Sequence, residues 1–189
     1  DDNCDGLGLS GMLTAGLASG STFPLGPTTV TYSYTDVAGN GPVSSSFIVT
    51  VTDNEAPTVA TTTSNITMSN DPGNCSAVVT YTPPTFDDNC DGLGLSGMLT
   101  AGLASGATFP VGPTTVTYSY TDAASNTPVT SSFVIIVTDD EDPVISCPAD
   151  ISINVDAGTC GAVVTYTPPV GTDNCLGATT AQTAGFGSG

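Results

Sequence analysis

The chain contains no lysine, no arginine, no histidine and no tryptophan. Each absence closes off a class of function. Nucleic acid is held by cationic side chains that displace counterions from phosphates, and anionic membrane surfaces are held by polybasic segments; neither partner fits here. The commonest general base and the usual anion clamps are also missing, which removes most catalytic constellations. Carboxylates alone support glycoside hydrolysis, but no partner residues accompany them, so the chain is not expected to be an enzyme. Without lysine no lysine-derived isopeptide cross-link forms. Signal-peptide and transmembrane runs are lacking too, as is any segment of helical periodicity. Because the sequence opens inside a repeat, a leader would lie upstream of it.

What is present is acid and β-forming residues. The 18 Asp and Glu give a formal charge of −18, yet the chain is 39 % hydrophobic with a positive mean hydropathy. Disorder requires low hydrophobicity as well as high charge, so the chain is expected to fold. Six cysteines in a Thr-, Ser- and Gly-rich acidic chain suggest an oxidising, extracytoplasmic setting.

The sequence "DDNCDGLGLSGMLTAGLASG" occupies residues 1–20 and recurs unchanged at 87–106. Residues 1–53 match 87–139 at 44 of 53 positions. "NDPGNCSAVVTYTPP" (70–84) aligns with "VDAGTCGAVVTYTPP" (155–169). The organisation read from this is the C-terminal part of one repeat (1–53), a complete repeat of about 86 residues (54–139) and the N-terminal part of a third (140–189). Near-identical copies suggest a window onto a longer array. Strand donation between copies is disfavoured, since residues 173–189 already begin the segment that residues 1–17 would supply.

Each repeat reads as all-β. "TTVTYSYT" (28–35) sets Val30, Tyr32 and Tyr34 on one face, "SFIVTVT" (46–52) sets Phe47, Val49 and Val51, and "SAVVTYT" (76–82) sets Ala77, Val79 and Tyr81. Gly, Pro, Asn and Asp clusters punctuate these runs as turns. The fold class expected is tandem immunoglobulin-like β-sandwiches. The alternating tyrosines are read as core rather than as a sugar-binding platform.

"DPVISCPADISINVDAGTCGAVVTYTPPVGTDNC" (142–175), joined to "SGATFPVGPTTVTYSYTDAASNTPVTSSFVIIVTD" (105–139), resembles the HYR (hyalin repeat) domain. The resemblance covers essentially the whole chain. It implies an immunoglobulin-related sandwich, usually in tandem, on extracellular proteins of adhesion or surface assembly, with no enzyme activity. Copies with an added "GTC…DNC" cysteine pair look like those of long bacterial surface proteins. The family often bonds the "CP" cysteine to one just before the final strand; here Thr61 and Ser132 stand near those positions, and only Cys147 keeps one of them. That leaves Cys75 with Cys90 and Cys160 with Cys175 as the expected disulfides, and Cys4 with a partner upstream. One tension attends the first pair. If Cys75 opens a strand and Cys90 follows the next loop, they stand about 20 Å apart unless the chain folds back. With no CxxC and no histidine, zinc is a poor alternative.

The acids cluster. They occupy the "DDNCD" loops (Asp1, Asp2, Asp5; Asp87, Asp88, Asp91; Asp173 in the third copy), the "TDxAxN" loops (Asp36, Asn40; Asp122, Asn126) and the repeat junctions (Asp53, Glu55; Asp139, Asp140, Glu141, Asp142). One reading is solvated turns, which favour Asp and Asn in any case. The other follows from strand direction: both loop types of a repeat lie at its linker end, so Asp53 and Glu55 converge with Asp87, Asp88, Asp91, Asp122 and Asn126. Carboxylates about 6 Å apart repel by roughly 2–3 kcal/mol at an effective dielectric near 20. Calcium, which takes 6–8 oxygen ligands in a tolerant geometry, reverses that sign. The junction is also similar to the cadherin inter-domain linker over a few residues.

Two functions follow. The first is an extracellular or cell-surface filament or stalk, stiffened by Ca2+, whose partners are neighbouring repeats of the same chain or copies of itself. The second is an adhesin or spacer with its specificity elsewhere. Asn65 and Asn74 match the N-glycosylation sequon, a short pattern that also arises by chance.

Overall fold

The computed structural model of the chain describes residue 1 and residues 3–187. Among them every regular element is a strand: β1 (Met12–Ala15), β2 (Gly26–Tyr34), β3 (Val43–Val51), β4 (Thr58–Thr61), β5 (Ile66–Ser69), β6 (Ser76–Val79), β7 (Thr85–Asp88), β8 (Gly92–Ser96), β9 (Met98–Ala101), β10 (Ala107–Pro110), β11 (Gly112–Tyr120) and β12 (Val129–Thr138). The fold is all-β, in tandem immunoglobulin-like sandwich repeats. By compactness the chain divides into two units: Asp1–Ala60 with Phe86–Leu95 and Tyr120–Val129, and Thr61–Thr85 with Ser96–Ser119 and Thr130–Gly189.

In the first unit β1, β2 and β3 form an antiparallel meander in which Val30 faces Phe47 and Tyr34 faces Val43. Val30 is buried and Tyr32 and Tyr34 partly so. Phe47, expected inside, is 53 % exposed. Its counterpart in the complete repeat, Phe133, is 3 % exposed and has the ring of Tyr81 edge-on at 4.9 Å. The difference is one of covering: an aromatic ring packs against Phe133, whereas Phe47 stands half open to solvent. Strands β4, β7 and β8 form a further sheet, in the order β4-β7-β8. Phe86 on β7 is fully buried and stacks on Tyr120 at 5.9 Å.

In the second unit the order is β5-β12-β11-β9, with β5 parallel to β12, beside a separate β6–β10 pair. Alternation along β6 buries Ala77 and Val79 and leaves Val78 half exposed. With Phe109 they make one side of the core; Val116, Tyr118, Phe133, Ile135 and Val137 make the other. The Tyr81 hydroxyl donates to the carbonyl of Leu103 at 2.6 Å. It also lies 3.2 Å from the Tyr118 hydroxyl.

Residues 140–187 carry only an isolated bridge, Val144 to Thr172. In the complete repeat β5 and β6 pair with strands that come later in the repeat, β12 and β10. Short strands without such partners are not stable alone.

The cysteine pairing differs from the expected one. Cys75 is bonded to Cys175, 100 residues on, with Cα atoms 4.8 Å apart, and neither Cys90 nor Cys160 is in a disulfide. With Cys75 committed to Cys175, the expected Cys75–Cys90 bond is not formed. Instead the "DNC" turn of the third repeat comes to the "GNC" turn of the second, where Asn174 Nδ2 donates to the carbonyl of Asn74 at 3.1 Å.

Candidate metal centre at the repeat junctions

The first unit holds the junction around Asp53 together with the loops 86–95 and 120–129. There Asp53, Asp88 and Cys90 bring one ligand atom each to within 4.8 Å of one another. Asp88 is only 6 % exposed. Its Oδ1 accepts the backbone N–H groups of Cys90 and Asp91, both at 2.8 Å, which fixes the turn. Its Oδ2 is buried and has no hydrogen-bond partner among the described residues. Burying a carboxylate oxygen without compensation is costly, and no side chain of the protein carries positive charge. Two charges at that spacing repel by about 3 kcal/mol at an effective dielectric near 20.

Most other predicted ligands hold loops in shape. Asp91 Oδ2 accepts the Tyr120 hydroxyl at 2.7 Å and the Ala123 N–H at 2.9 Å. Asp87 Oδ1 accepts the Gly94 N–H at 2.8 Å. Asp122, 4 % exposed, takes the backbone and side-chain N–H groups of Asn126 at 2.7 and 2.8 Å. Asn126 Nδ2 also donates to the carbonyl of Glu55 at 3.0 Å, tying this loop to the junction. The partial repeat shows the same bonds: Asp5 to Tyr34 and Val37, Asp1 to Gly8, and Asp36 to Asn40. Asp2, the counterpart of Asp88, lies outside the described residues. Hydrogen bonds from Asn40 hold the Asp36 carboxyl below the usual range. The bond to Asp91, and then burial, push the Tyr120 phenol up to about 12. Burial, with Asp53 and Asp88 beside it, pushes the Cys90 thiol up.

The second unit repeats the arrangement at its own junction. Asp139, Asp173 and Cys175 form the matching cluster, again within 4.8 Å. Asp173 Oδ1 accepts the Cys175 N–H at 2.8 Å, as Asp88 does from Cys90. Asn174 Oδ1 is buried without a partner among the described residues. Each cluster borders an open cleft: one of about 150 Å³ lined by Glu55, Asp87, Asp88 and Asn89, the other of about 180 Å³ lined by Glu141, Asp142, Asp173 and Asn174. Glu141 also accepts the Gly73 N–H at 2.8 Å and donation from Asn70 at 3.2 Å, while Asp140 accepts the Ser69 hydroxyl at 2.6 Å. The third copy departs at Thr172, which stands where Asp87 does.

Sequence reasoning missed Asn174 and the cysteines' nearness to the carboxylates, although "DNC" recurs identically three times. Of the sequon residues, Asn65 Oδ1 accepts the Val134 N–H at 2.8 Å, and Asn74 Nδ2 donates to the carbonyl of Pro72 at 3.0 Å beside the disulfide.

The donor chemistry favours a hard cation. Sulfur suits zinc, but Cys175 is consumed in a disulfide. What the two junctions share is two carboxylates bordered by a glutamate and an asparagine, oxygen donors of the kind calcium takes.

Comparison with known proteins places the chain among tandem β repeats. The HYR domain family matches residues 2–51 and 52–137. Hyalin of Strongylocentrotus purpuratus is 33 % identical over 171 residues, 88 % of this chain and 14 % of that protein. Hyalin of Lytechinus variegatus is 34 % identical over 175 residues, 90 % of this chain and 32 % of that protein. The chain thus spans a third or less of the length of these relatives. Both come from sea urchins, so they lend nothing to the bacterial source that the added cysteine pair suggested. No helix among the described residues is long and apolar enough to cross a membrane.

Proposed function

Because the chain belongs to the HYR domain family, we propose that it is part of an extracellular structural array in which calcium binds at each repeat junction and stiffens the string of sandwiches into a filament or stalk. The observation that carries the calcium reading is the buried, unpartnered Oδ2 of Asp88, beside Asp53, in a protein with no cationic side chain. Without a cation the carboxylates repel and the junction loosens. With one, repulsion becomes coordination, and the binding free energy adds to that of the folded array. Asp53 and Asp88 would supply carboxylate ligands at the first junction, Asp139 and Asp173 at the second, with Glu55 and Glu141 bordering the clefts. The disulfide from one repeat to the next supports an oxidising, extracellular location.

The test is calcium titration by calorimetry, with melting and electron-microscopic bending measured in calcium and in EGTA. Saturable binding, a higher melting temperature and a straighter array are expected. If EGTA changes neither melting nor bending, the proposal fails.

A further inference from the structure

We propose that Cys90 and Cys160 belong to the same kind of inter-repeat disulfide as Cys75–Cys175, so that every junction of the array is closed covalently and the bonds together form a line that bears tension. This rests on the tandem-array part of the reading above and is independent of calcium.

Both ends of the observed bond are built twice. Cys75 sits on a turn in which the Asp71 N–H donates to the Ser76 carbonyl at 2.7 Å and Asp71 Oδ2 accepts the Val78 N–H at 2.9 Å. Cys160 sits on the same turn one repeat later: the Asp156 N–H donates to the Gly161 carbonyl at 2.8 Å, and Asp156 Oδ2 accepts the Val163 N–H at 3.0 Å. At the other end Cys90 and Cys175 each donate their N–H to an aspartate Oδ1, Asp88 or Asp173, at 2.8 Å. Cys90 and Cys160 are both exposed. Cys75 is already taken, so a local Cys75–Cys90 bond is closed off. The partner of matching geometry for Cys90 is the "GNC"-type cysteine of the preceding repeat, and for Cys160 the "DNC" cysteine of the following one. Each bond forms from two thiols as a disulfide donor accepts their two electrons and two protons and leaves as a dithiol.

The bonds overlap, which gives the ladder its mechanical property. A force path arriving at Cys175 through Cys75 leaves through Cys160, 15 residues back along the chain. Per repeat the shortest covalent route is therefore one disulfide and 15 residues, at most about 55–60 Å when fully extended. The backbone of a whole repeat would extend to about 300 Å. A stapled repeat whose core melts under load cannot pay out its slack.

The experiment uses the chain with residues 54–139 repeated four times in tandem, folded under oxidising conditions. Pulled by single-molecule force spectroscopy between handles attached beside the first repeat's Cys75 and the last repeat's Cys90, it should show no lengthening beyond about 60 Å per repeat. After reduction, steps of roughly 250 Å more should appear. EGTA should leave the limit unchanged even where it alters bending, which separates failure of the ladder from failure of the calcium reading. Glu-specific cleavage, which cuts once in each repeat after Glu55, should release no separate repeats until reductant is added. Repeats that separate without reductant, or long steps in the oxidised array, would overturn the proposal.

Discussion

Cys75 and Cys175 are covalently joined across 100 residues, and the bond links one repeat to the next rather than bracing a repeat internally. Glu-specific cleavage of the 189-residue chain cuts after Glu55 and Glu141. Without reductant, fragments 56–141 and 142–189 should stay together, whereas a Cys75–Cys90 bond would let them part. Closing so long a loop stabilises by as much as about 4.7 kcal/mol in the chain-entropy description. Cys175→Ser should therefore lower stability by about 2–5 kcal/mol in denaturant titration.

Asp88→Asn should have opposite effects with and without calcium. The amide keeps Oδ1 as acceptor for the Cys90 and Asp91 N–H groups and removes a buried charge. In EGTA the variant should melt no lower than the parent. In calcium at a hundredfold excess over the dissociation constant it should lose the parent's gain, about 2.7 kcal/mol or 5–10 °C per site. Calorimetric melts in the two buffers make the comparison.

The Tyr120 phenol, pushed up to about 12 by Asp91, predicts an alkaline weakness. An acid whose folded pKa lies above its unfolded value of 10.0 holds its proton longer when folded. Its contribution is complete below pH 10 and is lost as pH rises through 12. Urea titrations across that window should show stability falling, and Tyr120→Phe should flatten the fall. A residual slope should remain, because burial and Tyr118 raise Tyr81 as well.

Gly102 has φ +81°, and a Cβ there would meet the Thr115 carbonyl oxygen at 2.6 Å and Val116 Cα at 2.9 Å. Gly102→Ala should cost upwards of about 2 kcal/mol, from left-handed strain plus collision with backbone. Gly106, at φ +86° but facing open space, gives the control: its alanine variant should cost about 1 kcal/mol. Chemical denaturation of the two variants side by side checks the difference.

Much of this was legible in the residues. Period-two alternation marked Ala77 and Val79 as core and Val78 as outward, and the structure agrees. Internal repetition marked the acidic loops as equivalent, and their hydrogen bonds are reproduced nearly atom for atom in the two copies. Which acids hold a loop and which stand open was not legible, because Asp87, Asp88 and Asp91 are alike in composition and differ only in where the turn points their oxygens.

By itself the sequence determined the all-β class, the repeat, the turns and the impossibility of internal charge neutralisation, since these depend on local pattern and on side chains that are simply missing. Tertiary structure alone decided the rest. Phe47 and Phe133 stand in matching strands, yet one is half exposed and the other buried, because burial depends on what covers a face. Cys75 passes over the cysteine 15 residues away for one 100 residues away, because a disulfide forms where Cα atoms meet in space and distance along the chain does not measure that.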